Sequence, residues 1–174
     1  VTKSGTNEFH GDIHASFTDT RLRAPNPGQS ASDPNAGVHD PLSEHTYGLT
    51  LGGPIIKNKL FFFVAFDWFK RTGLSYSPVN FLPTAADLAT VTAAAKSFGI
   101  DSGTFAPPVQ SKQKTYLAKI DWNITNLQRL SLTYRRTDSL APNYANGSTY
   151  TQFSGNAYQS NRINDNLSLQ LNSS

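Results

Sequence analysis

The chain has 174 residues, a formal net charge of +3 and no cysteine, so disulfides and thiolate metal sites are excluded. Only 37% of the residues are hydrophobic although 11% are aromatic, which concentrates the apolar side chains in a few segments. No segment approaches the roughly 18 consecutive apolar residues of a membrane helix, whereas a membrane strand needs only about 9 to 11 residues. The basic residues are scattered without interleaved stacking aromatics, and we therefore expect no nucleic-acid partner.

The first predicted strand follows a short polar segment, residues 1–7, that has the composition of a linker. From Phe9 to Phe17 apolar and polar residues alternate with the period of two that a pleated strand imposes on its side chains. The next segment, Thr18 to Ser43, is rich in Pro, Gly, Asp and Ser and has no period. It predicts a long loop.

The most apolar segment runs from Tyr47 to Arg71 and predicts two antiparallel strands joined by a turn. Glycine and proline interrupt the first strand, so the turn is predicted between Gly53 and Asn58. The second strand starts at Leu60 and is apolar on both faces. Such a strand is buried on both sides, lies in lipid or is prone to aggregation.

One helix is predicted, inside the second long loop. Thr84 occupies the N-cap position, Asp87 the capping-box position three residues later, and Gly99 the stop. A helix in a loop is compatible with an all-β protein. Its apolar positions are Leu88, Val91, Ala95 and Phe98.

Three more alternating segments, Thr115 to Asn123, Arg129 to Arg135 and Asn166 to Leu171, bring the number of predicted strands to about six. The long connections have about 26, 40 and 23 residues, whereas compact domains rarely use loops above about 12 to 15. Outer-membrane barrels combine short periplasmic turns with long extracellular loops. The sequence therefore predicts an all-β antiparallel meander that is an incomplete part of a transmembrane barrel, with a soluble β-sandwich as the alternative.

The period of two divides these strands into an apolar and a polar face, which in a barrel contact lipid and line the lumen. The residues predicted to face lipid are Phe9, Ile13, Phe17, Leu49, Leu51, Phe62, Val64, Phe66, Trp68, Ile120, Leu130 and Leu132. The residues predicted to face the lumen are His10, Asp12, His14, Asp67, Lys119, Asp121, Arg129 and Arg135. Phe61, Phe63 and Phe69 are apolar exceptions on the inward face.

Two groups on the predicted lumen face have more than one interpretation. His10, Asp12 and His14 project from one face about 7 Å apart along the strand. We interpret them as a lumen wall, and a metal site completed by another strand is the alternative. The second group is either a row of ion pairs that docks a partner or a solvated wall; it consists of Lys119, Asp121, Arg129 and Arg135.

Aromatic residues in the third long loop are the candidate ligand contacts, because exposed aromatics on outward loops form binding platforms. The alternative is that this loop packs on itself. The sequence has no nucleophile elbow and no carboxylate pair in an apolar pocket, so we expect no enzyme, no cofactor and no metal. The candidate aromatics are Tyr144, Tyr150, Phe153 and Tyr158.

Two sequence motifs resemble one family. VTKSGTNEFHG at Val1 to Gly11 resembles the junction between plug and barrel in TonB-dependent outer-membrane receptors. LGGPIIKNKLFFF at Leu51 to Phe63 resembles the second and third barrel strands of their Oar-like branch, whose members often carry an N-terminal carboxypeptidase-regulatory-like domain. The resemblance implies a 22-stranded barrel, with residues 1–7 as the plug-to-barrel linker and residues 8–174 as its first strands.

The same resemblance implies a location and partners. It places the chain in the Gram-negative outer membrane, in contact with outer-membrane lipid, the plug of the same full-length chain and an unknown extracellular ligand. The TonB complex would act through a more N-terminal region, and the phenylalanines on the inward face would pack against the plug. The implied function is TonB-dependent import of the ligand. The alternative is a passive barrel that serves as an adhesin or structural anchor through its long loops.

We expect the chain to aggregate or to require detergent when it is expressed alone, because an open lipid-facing sheet leaves unpaired strand edges. Size-exclusion chromatography and urea unfolding without detergent measure this directly. A soluble monomer that unfolds cooperatively contradicts the barrel interpretation.

Overall fold

The computed structural model describes residues 5–25, 42–74, 83–105, 108–143 and 153–173. These residues form a six-stranded sheet and one α-helix. The strands are β1 (His10–Asp19), β2 (Leu42–Ile56), β3 (Leu60–Leu74), β4 (Pro108–Asn123), β5 (Gln128–Asn143) and β6 (Tyr158–Ser173). The helix α1 (Ala85–Ser97) lies between β3 and β4, and short 3-10 turns occur at Thr20–Leu22 and Ser154–Asn156.

Every strand pairs antiparallel with the next strand along the chain, so the sheet has the order β1-β2-β3-β4-β5-β6. This is the predicted all-β meander with one short helix. The sheet is open, with β1 and β6 at its edges. The β-sandwich alternative is wrong for the described residues, because Phe62, Phe66 and Trp68 lie on one face of this single sheet and no second sheet covers them.

The strands are longer than predicted at the end of the sheet where the long connections lie. β4 begins at Pro108 instead of Thr115, and β5 continues to Asn143 instead of Arg135. Both faces are polar there, so the hydrophobic period disappears although the backbone hydrogen bonding of the sheet continues. The long connections shorten to about 22, 33 and 14 residues, and the alternation of long and short connections remains.

The turn between β2 and β3 is also shorter than predicted. β2 continues through Gly53, which pairs with Phe62, and only residues 57–59 form the turn. A Cβ on Gly53 would collide with the Phe9 ring. The glycine therefore provides space for an aromatic side chain in a continuous strand and does not form the turn. The turn instead relies on Asn58, whose φ of 63 is in the left-handed region.

Helix α1 confirms the predicted capping box. The Asp87 backbone N–H donates to the Thr84 hydroxyl at 3.2 Å, and the Thr84 backbone N–H donates to the Asp87 carboxylate at 2.9 Å. These hydrogen bonds from Thr84 lower the pKa of Asp87 below its ordinary value. The box thus stabilises the helix above the ordinary pKa of aspartate and weakens as the pH falls through the lowered one. No helix in the described ranges is long and apolar enough to cross a membrane.

Three asparagines connect the short turns to the segment before β1. The Asn7 side chain donates to the Asn58 side chain at 2.5 Å and accepts from the Asn58 backbone N–H at 2.7 Å. The Asn123 side chain donates to the Asn58 carbonyl at 3.1 Å, and its backbone N–H donates to the Lys59 carbonyl at 2.8 Å. The short-turn end of the sheet is therefore held by hydrogen bonds between sequence-distant segments.

We predict that Asn58→Ala destabilises the protein by roughly 1–2 kcal/mol, because alanine tolerates the left-handed conformation poorly. Asn58→Gly is the matched variant, since it also removes the side-chain bond to Asn7 but adopts this φ freely. The measurement is the free energy of unfolding in urea for the full-length protein folded into lipid vesicles. Equal losses in the two variants would show that the side-chain bond matters and the backbone conformation does not.

Candidate functional site

The register places all eight predicted lumen residues on one side of the sheet, which we call the polar face. Residues directly opposite each other in a pair of strands share a face, and the pairs His10–Gly52, Gly52–Phe63 and Phe63–Lys119 connect four strands in one row. Phe61, Phe63 and Phe69 lie on the same face, as predicted. The predicted residues on this face are His10, Asp12, His14, Asp67, Lys119, Asp121, Arg129 and Arg135.

The opposite side, the apolar face, carries all twelve residues predicted to contact lipid. Many of them have no covering partner in the described residues: Ile13 is 87% exposed and Phe17 is 68% exposed. Tyr47 stacks on Trp68 with 5.5 Å between ring centroids, and Phe66 packs on Tyr116 at 5.1 Å. The predicted residues on this face are Phe9, Ile13, Phe17, Leu49, Leu51, Phe62, Val64, Phe66, Trp68, Ile120, Leu130 and Leu132.

On the polar face, His14 reaches across β2 to β3. Its Nε2 lies 3.3 Å from Asp67 Oδ1, and its Nδ1 lies 3.7 Å from Asp12 Oδ2. This is possible because Gly48 lies between the two strands, where a Cβ would collide with both His14 and Asp67. The glycine therefore permits a contact between His14 and Asp67, which lie on two strands that are not neighbours.

His10 repeats this arrangement with different partners. Its ring lies over Gly52 and stacks on Phe63 with 6.5 Å between ring centroids. His10 Nδ1 lies 3.1 Å from the Glu8 carbonyl and 3.3 Å from the Thr6 hydroxyl, whereas His14 pairs with carboxylates. In the described part of the chain no three His, Asp or Glu side chains are arranged to hold a metal ion.

The most buried polar side chain of the described residues is Asp121, which is 1% exposed. Its Oδ2 lies 3.3 Å from both Lys119 Nζ and Arg129 Nη2, and the Ser131 hydroxyl donates to Oδ1 at 2.5 Å. We call these four residues the Asp121 cluster. It joins three members of the predicted group of charges. The fourth member, Arg135, lies four residues beyond Ser131 along β5 and is exposed.

Gly5, five residues before β1, lies on the polar face. A Cβ on Gly5 would collide with the Phe62 carbonyl oxygen and would lie 3.0 Å from the Phe61 Cβ, which points to this face. Gly5 is buried, and Phe61 and Phe63 are only 8% and 4% exposed. The sequence did not indicate that this segment crosses over β2 to β3.

The second and third long connections contact each other, which the sequence analysis missed. Phe105 and Phe153 form an isolated bridge, and their rings meet edge-on at 5.4 Å. The Ser154 backbone N–H donates to the Thr104 carbonyl at 2.9 Å, and the Ser154 hydroxyl accepts from the Thr104 backbone N–H at 2.8 Å. Gly103, next to this contact, has a positive φ of 70, which glycine adopts freely.

The four candidate ligand aromatics have different surroundings. Phe153 is half-buried in this contact between connections. Tyr158 is 65% exposed at the start of β6, where the register with Asn143 places it on the polar side. Tyr144 and Tyr150 lie outside the described residues. The candidate platform therefore has one exposed member in the described part of the chain.

The open meander with one polar and one apolar face defines the chain as barrel-forming. The family model for the outer membrane beta barrel domain matches residues 1–104, and the chain belongs to this family. It is part of a β-barrel of the Gram-negative outer membrane and resembles TonB-dependent receptors.

Over 67 residues the chain is 39% identical to the TonB-dependent transporter Oar of Myxococcus xanthus. This match covers 38% of the chain and 6% of the transporter, so it spans a small part of that relative. No solved structure matches the chain.

We predict that Asp121→Asn destabilises the full-length protein by about 2–4 kcal/mol, because it leaves the largely buried Lys119 charge without its carboxylate. Asp12→Asn makes the same chemical change at a side chain that is 64% exposed and is expected to cost less than about 1 kcal/mol. Urea unfolding in lipid vesicles measures both. If Asp12→Asn lowers the free energy of unfolding as much as Asp121→Asn does, the explanation by burial is contradicted.

Proposed function

We propose that this chain forms the first strands of the barrel of a TonB-dependent receptor that imports an extracellular ligand. In this proposal the apolar face contacts lipid, the polar face lines the lumen, and the long connections face outward. The plug of the full-length chain packs on the polar face, and the TonB complex acts through the region before residue 1. Residues 1–7 connect the plug to the barrel.

The observation that carries this proposal is the path of the chain before β1. Gly5 lies over β2 and β3 on the polar face, and Asn7 is hydrogen-bonded to the turn at Asn58. A chain that enters its first strand from this face comes from the side that becomes the lumen. A plug at that position would continue the contact that Gly5 makes with Phe61.

The aromatic residues of the apolar face support a tilted strand arrangement. Tyr47 and Trp68 are directly opposite, whereas Tyr116 on β4 and Tyr134 on β5 are each displaced by two residues toward the short turns. From β2 to β5 the aromatic position is therefore displaced by four residues in total. This displacement is about 14 Å along the strands, and the distance across the three strand spacings is also about 14 Å. The row of aromatics is therefore tilted by about 43° from the perpendicular to the strands, as expected when strands tilted by about 35–45° cross a level membrane interface.

The positions of the charged residues on the apolar face agree with a membrane interface at the row of aromatics. Every charged residue that the described strands place on this face lies beyond the aromatic row, on the side of the long connections. Between the row and the short turns the face is uncharged, as a lipid-contacting band requires. The charged residues beyond the row are Asp19, Lys70, Lys112, Lys114, Arg136, Asp138 and Asp165.

Ligand binding is assigned to the outward end. The contact between Phe105 and Phe153 holds two long connections together, and Tyr158 offers an exposed ring on the polar side next to them. Two connections that support each other position side chains better than two independent loops. We include Tyr144 and Tyr150 in this proposed ligand region on the sequence argument alone.

The test compares solute uptake by three strains: the wild type, a strain without the full-length receptor and a strain without TonB. Mass spectrometry of the spent medium measures which solutes are removed. We expect at least one solute that is depleted by the wild type and by neither deletion strain.

Depletion that requires the receptor but continues without TonB would support the passive-barrel alternative instead. Unchanged depletion in all three strains, together with loss of surface attachment in the receptor deletion, would support an adhesin or anchor. Asp121→Asn is not a suitable variant here because it also affects stability.

A further inference from the structure

Three lysines form a compact basic group on the apolar face and are not among the residues predicted to contact lipid or ligand. Lys70 on β3 is directly opposite Lys112 on β4, and Lys114 is directly opposite Trp68. Opposite side chains have Cβ atoms about 4.5–5.5 Å apart, and same-face neighbours along a strand are about 7 Å apart. The three ammonium groups can therefore approach one anion together. We call Lys70, Lys112 and Lys114 the lysine triad.

In the described residues, no carboxylate forms an ion pair with a lysine of the triad. Like charges directly opposite each other destabilise a sheet, and Lys70 and Lys112 are such a pair. Asp138 is opposite Lys114 in the register, but it accepts from Arg136 Nε at 3.1 Å.

The other carboxylate nearby is also engaged by Arg136. Asp165 Oδ2 lies 3.8 Å from Arg136 Nη1, and Asp165 accepts from the Tyr134 hydroxyl at 2.6 Å. Among the described residues no ion pair involves a lysine of the triad. The β3–β4 part of this surface is therefore positively charged, while on its β5–β6 part Arg136 contacts both aspartates.

The position of the lysine triad relative to the aromatic residues indicates which anion it binds. Lys70 lies two residues beyond Trp68 along β3, on the side of the long connections. Trp and Tyr belts mark the level of lipid head groups, and lysines extend their charged ends further toward water. In an outer-membrane barrel the side of the long connections is extracellular. The triad thus faces the head groups of the outer leaflet, and a group of lysines near a membrane surface attracts anionic head groups.

We propose that the lysine triad binds the phosphate groups of a phosphorylated lipid in the outer leaflet. The Tyr47–Trp68 and Phe66–Tyr116 ring pairs lie just below it and contact the acyl chains of the same lipid. This inference rests on the membrane orientation in the proposed function and does not require transport.

The test measures lipid affinity with the full-length receptor purified and delipidated in detergent. The probes are lipid A with two phosphate groups, the same lipid after enzymatic removal of both phosphates, and inorganic phosphate. We expect the phosphorylated lipid to bind at least about tenfold more tightly than the dephosphorylated lipid, from three lysines near one anionic group. Inorganic phosphate should compete only weakly, because it makes no contact with the aromatic rings.

Three variants make the result specific. Lys70→Gln, Lys112→Gln and Lys114→Gln combined should lose the preference for phosphate, and the corresponding triple Lys→Arg variant should keep it. The control is the combined Arg71→Gln, Arg135→Gln and Arg162→Gln variant, which removes the same charge from the polar face and should keep the preference.

Equal affinity for the two lipids in the wild type overturns the proposal, as does an unchanged preference in the Lys→Gln variant. An equal loss in the arginine control reveals a net-charge effect and also overturns it. TonB-dependent uptake is measured separately, so failure of lipid binding is distinguishable from failure of the proposed function. Unchanged affinity of the Lys→Gln variant for the dephosphorylated lipid shows that its loss of preference is not caused by misfolding.

Discussion

The register of the six strands is the constraint on which both faces of this sheet depend. A strand presents successive side chains to opposite faces, so a slip of one residue would exchange its polar and apolar sides. Gly48 and Gly53 help to hold the register, because Gly48 lies beneath the His14 ring and Gly53 beneath the ring of Phe9, just before β1, and a larger residue would displace either ring. Asn58 ties the β2–β3 turn to both Asn7 and Asn123. Glycine space and turn hydrogen bonds therefore help to fix which side chains lie on each face.

The alternation between the faces was predictable from sequence because it is local. Each residue in segments such as Arg129 to Arg135 could be assigned to a side from the period of two alone, and the register agrees. The helix was equally predictable, because the cap at Thr84 and the stop at Gly99 are local signals. The strand ends next to the long connections were not predictable, because polar side chains on both faces leave no hydrophobic period there. The backbone hydrogen bonding of the sheet nevertheless continues to Asn143.

Contacts between distant segments were the part that sequence could not give. Nothing in the pattern shows that Gly5 crosses the polar face, that Phe105 meets Phe153, or that Asp121 collects two cations while Arg135 remains outside. These contacts bear directly on function. In the proposed function, the path of Gly5 relates the sheet to the plug, and the joined connections form part of the outward surface. The lysine triad likewise became visible only when the register of β3 and β4 was known.

The assignment of the apolar face to lipid and the polar face to the lumen is the central claim. Its most direct test places a nitroxide spin label singly at four consecutive β5 positions, Leu130, Ser131, Leu132 and Thr133, of the full-length receptor in bilayers. Oxygen, which partitions into lipid, should broaden the spectra strongly at Leu130 and Leu132 and weakly at Ser131 and Thr133. Oxygen accessibility that does not alternate, or that is highest at Ser131 and Thr133, would contradict the claim.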